Sequence, residues 1–79
     1  MDVSIFDKGS KTFDRYTVIM NNKHVYTMSA NALSPHGINR YLCDVVDLDL
    51  ESVGQPIGLK EVPEAVRKAI EDRCSQMIF

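Results

Sequence analysis

Residues 13–29 constrain the fold more than any other part of the chain. Aromatic and β-branched residues crowd both sides of Asn21-Asn22, the composition of two strands joined by a turn. Asparagine suits such a turn because it tolerates left-handed backbone. The register then follows from side-chain alternation. A two-residue loop pairs Val18 with Val25 and Tyr16 with Thr27, mixing polar and apolar side chains on both faces. A three-residue loop over 21–23 pairs Met20 with His24, Val18 with Tyr26 and Tyr16 with Met28. That gathers Tyr16, Val18, Met20, Tyr26 and Met28 on one face and leaves Arg15, Thr17, Ile19, Val25 and Thr27 on the other. A slip of one residue would reverse every side chain, so the apolar pattern selects the three-residue loop. Lys23 then occupies the last loop position, where glycine is usual.

The C-terminal segment supplies the second layer. Val62, Val66, Ala69, Ile70, Cys74 and Met77 recur at helical spacing. Pro63 suits the first helical position and Glu64 the positive end of the helix dipole. Arg67, Lys68, Glu71 and Asp72 cover the opposite side. Between hairpin and helix, residues 30–37 read as loop, broken by Ser34-Pro35 and Gly37. The spacing of Ile38, Tyr41 and Leu42 predicts one or two helical turns over 38–43. The alternation in 45–50 predicts a half-buried strand with Val46, Leu48 and Leu50 inward. Together with the short apolar run at 3–7, these elements predict an α+β fold. Its expected form is two-layered, a small antiparallel sheet of three to four strands packed by a C-terminal amphipathic helix.

Size and composition set the outer bounds. The chain has 79 residues, which makes it a single domain, 1–79. Hydrophobic content of 44% and charge of 25% are those of a soluble globular protein. No apolar run approaches the roughly 18 residues needed to span a membrane, and no signal-peptide pattern opens the chain. A cytoplasmic location is therefore expected. Cys43 and Cys74 have no metal-ligand spacing and are expected as free thiols, with Cys43 the better shielded.

The net charge of −2 is unevenly spread. Residues 1–43 carry Lys8, Lys11, Arg15, Lys23 and Arg40 against Asp2, Asp7 and Asp14. Residues 44–64 carry Asp44, Asp47, Asp49, Glu51, Glu61 and Glu64 against Lys60 alone. Such patterning bears on partners rather than on fold.

No constellation points to catalysis. No serine or cysteine sits in a nucleophile elbow, and His24 and His36 flank a predicted strand without an evident partner. The protein is expected not to be an enzyme and to need no cofactor or metal. The acids at 44–51 lack the spacing and glycine of a calcium loop. Two polar surfaces are the candidates for contact with a partner. One is the basic-polar set Lys8, Lys11, Arg15, Asn31, Ser34, His36, Asn39 and Arg40. The other is a secondary acidic patch of Asp47, Asp49 and Glu51. Lys8, Lys11 and Arg15 interleave with Phe6, Phe13 and Tyr16, as in single-strand binders. The overall acidity nevertheless argues against direct nucleic-acid binding.

The segments KTFDRYTVIM, YTMSANALSPHGINRY and EVPEAVRKAIEDR resemble a group of small proteins encoded in phages, prophages and other mobile elements. The pattern of that group is roughly GGKTFDRYTV, YGMS-N, SPQGFNQY and a closing LPEEVQKAIEER-like helix, so the resemblance spans most of the chain. This sequence departs from it with Ser10 and Thr27 in place of glycines, His36 and Arg40 in place of glutamines, and Ile38 in place of phenylalanine. The resemblance implies a phage-type inhibitor of a bacterial defence complex, with anti-CRISPR proteins that block a Cas effector as the leading case. A small nucleic-acid-binding or phage-regulatory module, and a dimerising structural accessory protein, are the alternative expectations.

Overall fold

The computed structural model describes residues 2–30 and 39–77. Five strands form one antiparallel sheet: β1 (Val3–Asp7), β2 (Tyr16–Met20), β3 (His24–Met28), β4 (Asn39–Asp44) and β5 (Gln55–Ile57). Their spatial order is β4-β3-β2-β1-β5. Helix α1 (Glu64–Met77) closes the chain. The fold is thus the expected α+β arrangement, with a somewhat larger sheet.

The β2–β3 hairpin adopts the three-residue register, with Tyr16 opposite Met28, Val18 opposite Tyr26 and Met20 opposite His24. The turn works without glycine because Asn21 and Asn22 carry the positive φ angles, 56° and 55°. The Lys23 N–H donates to the Met20 carbonyl at 3.1 Å. The face carrying Tyr16, Val18, Met20, Tyr26 and Met28 joins Ile5, Val62, Val66, Ala69 and Ile70 in one core cluster, with Val3, Ile57 and Cys74 against its rim. The helical periodicity therefore places the layer as expected. Removing a fully buried aliphatic side chain of this kind from water is worth about 1.5–3 kcal/mol. Pro63 sits just before the helix, and its carbonyl accepts from the Arg67 N–H at 3.0 Å.

Two sequence expectations fail between hairpin and helix. Residues 39–44 are a strand, not helical turns, because they pair along β3. Burial on one side by a neighbouring strand outweighs the weak helical spacing of Ile38, Tyr41 and Leu42. Residues 45–50 are not a strand. They form short 3₁₀ turns at Val45–Asp47 and Leu50–Ser52. The reason is topological. β4 ends beside the β2–β3 turn, where the Val45 N–H donates to the Lys23 carbonyl at 2.7 Å. β5 begins at the far edge of the sheet, opposite Asp7. The connection must cross from one edge to the other. On the face away from α1, Thr17, Ile19, Val25 and Thr27 are buried, as is Val53 at 2% exposure outside the helix-side cluster. Val53, near the end of the 45–54 connection, is thus buried apart from the helix-side core.

Both sheet edges are blunted. The register shift between Val25 and Tyr26 leaves Leu42 as the extra residue of a bulge in β4. β5 has three residues with Pro56 at its centre. Proline has no N–H for a ladder, so its nitrogen faces outward and offers an incoming strand no donor.

Candidate functional site

The loop between β1 and β2 is held closed at its base. The Arg15 guanidinium donates through Nε and Nη2 to the Asp7 carboxylate at 2.6 and 2.8 Å. The same carboxylate accepts from the Gly9 N–H at 2.8 Å. The Lys8 N–H donates to the Arg15 carbonyl at 2.9 Å, and the Thr12 N–H to the Gly9 carbonyl at 3.3 Å. The Arg15 guanidinium beside it, against a smaller desolvation effect, holds the Asp7 carboxyl below its ordinary range. Arg15 also lies 5.2 Å from the Tyr16 ring centroid.

This loop forms one wall of a groove of about 280 Å³. Ser10, Lys11, Thr12, Phe13 and Arg15 line it from the loop; Tyr16, Ser29, Ala30 and Pro63 complete it. Phe13 is 57% exposed, and Lys8 and Lys11 are exposed. Of the basic-polar set, Lys8, Lys11 and Arg15 thus share one loop. Asn39 and Arg40 do not join them as one surface. Asn39 pairs with Met28 and so faces the helix side, whereas Arg40 pairs with Thr27 on the opposite side. Asn39 Oδ1 and Arg40 Nε are both buried without a hydrogen-bond partner. Asn31, Ser34 and His36 lie outside the described residues.

Asp47, Asp49 and Glu51 are all exposed. Asp49 spends one carboxylate oxygen on its own turn, accepting from the Glu51 N–H at 3.0 Å. Val46 is 85% exposed and Leu50 61% exposed, so both stand in water among these acids instead of pointing inward. Leu48 is half-buried. The sequence alternation is the same for an inward strand and for this crossing connection. The signal that separates them is the edge-to-edge distance the chain must cover, which sequence spacing does not carry.

A third cluster was not legible beforehand. Tyr41, on the helix-facing side of β4, meets Tyr26 edge-to-face at 5.5 Å between centroids and His24 at 6.3 Å. Arg73 lies 4.8 Å over the Tyr26 ring from α1. The Tyr41 hydroxyl donates to Asp44 at 2.7 Å, and that bond, with burial adding to it, pushes the phenol up to about 12.

Among the described residues, no cluster of three or more histidine, cysteine or acidic side chains is placed to hold a metal ion, and no helix is long and apolar enough to cross a membrane. Both cysteines are free and half-buried; Cys74 packs on the core rim, so the expected contrast in shielding between Cys43 and Cys74 is not seen. No protein-family model, curated protein or solved structure matches the chain.

Proposed function

We propose that this protein is a non-enzymatic binding protein that docks on a bacterial defence complex and inhibits it, as anti-CRISPR proteins do with Cas effectors. The observation that carries the reading is the exposure of Val46 and Leu50 beside Asp47, Asp49 and Glu51. Two aliphatic side chains held in water do nothing for the fold, whereas apolar residues rimmed by charge are the make-up of a protein-contact patch. The resemblance to small phage and prophage proteins supplies the kind of partner. Strand-to-strand dimerisation is disfavoured by the bulge at Leu42 and by Pro56.

The test is phage plaquing on CRISPR-active cells that express the protein. Wild type restores plaquing. The double variant Val46→Ser, Leu50→Ser keeps the fold and loses the protection. Absence of protection by wild type overturns the reading. Full protection by the double variant moves the contact away from this patch.

A further inference from the structure

We propose that the groove beside the β1–β2 loop binds a nucleotide unit, with its phosphate on Lys11 and Arg15 and its base on Phe13. The inference goes beyond the docking function and does not rest on it. The groove's volume of about 280 Å³ lies just below the roughly 300–1,000 Å³ of small-molecule sites. It suits one compact unit, not a protein domain.

The polar chemistry of the groove is that of an anion site. Lys11 is exposed and makes no ion pair among the described residues. Arg15 commits Nε and Nη2 to Asp7. That clamp fixes the guanidinium plane and leaves the Nη1 donors to face a ligand. Ser10 and Thr12, both exposed, add hydroxyl donors on the same wall. The loop is already stapled by Asp7 and by the Lys8–Arg15 backbone bond, so binding need not pay to order it.

Phe13 selects among anions. Its ring is more than half exposed at the groove while every neighbouring core aromatic is buried. Tyr16, 3% exposed and already covered by Arg15, cannot serve as a second platform. One cationic pair and one free aromatic face match one phosphate and one base. The protein's net charge of −2 and its acidic connection restrict this to a local contact. That fits a free nucleotide or a single residue of a strand, not an extended track.

The experiment is an amide-resonance titration of the full chain with thymidine monophosphate, a ten-residue oligothymidylate and inorganic phosphate as probes. The expected result is movement of the 8–15 amides. Lys11→Gln should weaken both nucleotide probes and phosphate. Phe13→Ala should weaken the nucleotide probes about tenfold and leave phosphate unchanged. For the oligonucleotide, the one phosphate contacted gives a log–log salt slope of about −0.7, which Lys11→Gln should flatten. Both side chains are exposed, so the melting profile serves as the control that each variant stays folded. Equal affinity for monophosphate and oligonucleotide assigns a free nucleotide; much tighter oligonucleotide binding assigns a strand. No movement of the 8–15 amides at millimolar probe, or binding untouched by both substitutions, overturns the proposal.

Discussion

Gly54 lies so close to the end of β1 that a Cβ built on it would stand 2.1 Å from the Asp7 carbonyl oxygen. Its φ of +90° already excludes most L side chains. The crossing connection enters β5 at this point, so the contact fixes where the chain rejoins the sheet. Gly54→Ala is expected to destabilise by at least about 2 kcal/mol, combining backbone strain with overpacking. On a domain of this size that lowers the melting temperature by roughly 10 °C or more. Gly9 is the control. Its φ is +104°, but a Cβ there meets nothing within 4 Å. Gly9→Ala should cost only the backbone term, about 1 kcal/mol. Equal losses in calorimetric melts of the two variants would show that the close approach to Asp7 is unimportant.

The turn at Asn21-Asn22 should be sensitive to residue type and not to contact. Both residues are exposed and left-handed. Asn22→Val places a β-branched side chain at φ 55° and is expected to cost about 1–2 kcal/mol. Denaturant melts measure this directly. An unchanged midpoint would mean that the turn relaxes to another conformation.

Asp7 makes stability depend on acid pH. Its folded carboxyl titrates below the unfolded value of about 3.9, chiefly because Arg15 donates to it. The pair therefore stabilises the fold above about pH 4, and the contribution fades as pH falls through the depressed folded value. Both side chains are partly exposed, so the effect is modest and weakened by salt. In melts at pH 6 and at pH 2, the gap between wild type and Arg15→Gln should shrink at the lower pH. A gap independent of pH would assign the role of Arg15 to packing on Tyr16.

Tyr41 gives an alkaline signature. Its phenol titrates near 12 because it donates to Asp44. A folded value above the unfolded one of about 10 stabilises the fold below pH 10, and this is lost as pH rises through 12. Asp44→Asn should bring one tyrosine back toward 10 in an ultraviolet titration. Tyr41→Phe should remove the high-pH transition altogether, and its persistence in that variant would reassign it.

Ile70 marks the centre of the helix–sheet contact at 3% exposure. Ile70→Asp buries an unpaired carboxylate, a cost of several kcal/mol against a total stability of about 5–15 kcal/mol. No cooperative melt is expected. A transition near the wild-type temperature would show that α1 does not pack as described.

Local periodicity was enough to read the hairpin register and the apolar face of α1. In both, residues near in sequence decide which side chains share a face: Tyr16, Val18, Met20, Tyr26 and Met28 on the sheet, Val66, Ala69 and Ile70 on the helix. The acidic patch and the basic loop were likewise visible as charge. Only the tertiary structure decided the rest. Residues 39–44 became a strand because β3 offered them a free edge, and that pairing sent Asn39 and Arg40 to opposite faces. Val46 and Leu50 turned outward because residues 45–54 must carry the chain from β4 to β5 across the sheet. Phe13, Lys11 and Arg15 came to one groove, shared with Ser29 and Pro63, because Asp7 closes their loop at its base. Side-chain alternation fixes what a segment can bury, but the partner strand and the distance to the next element fix what it does bury.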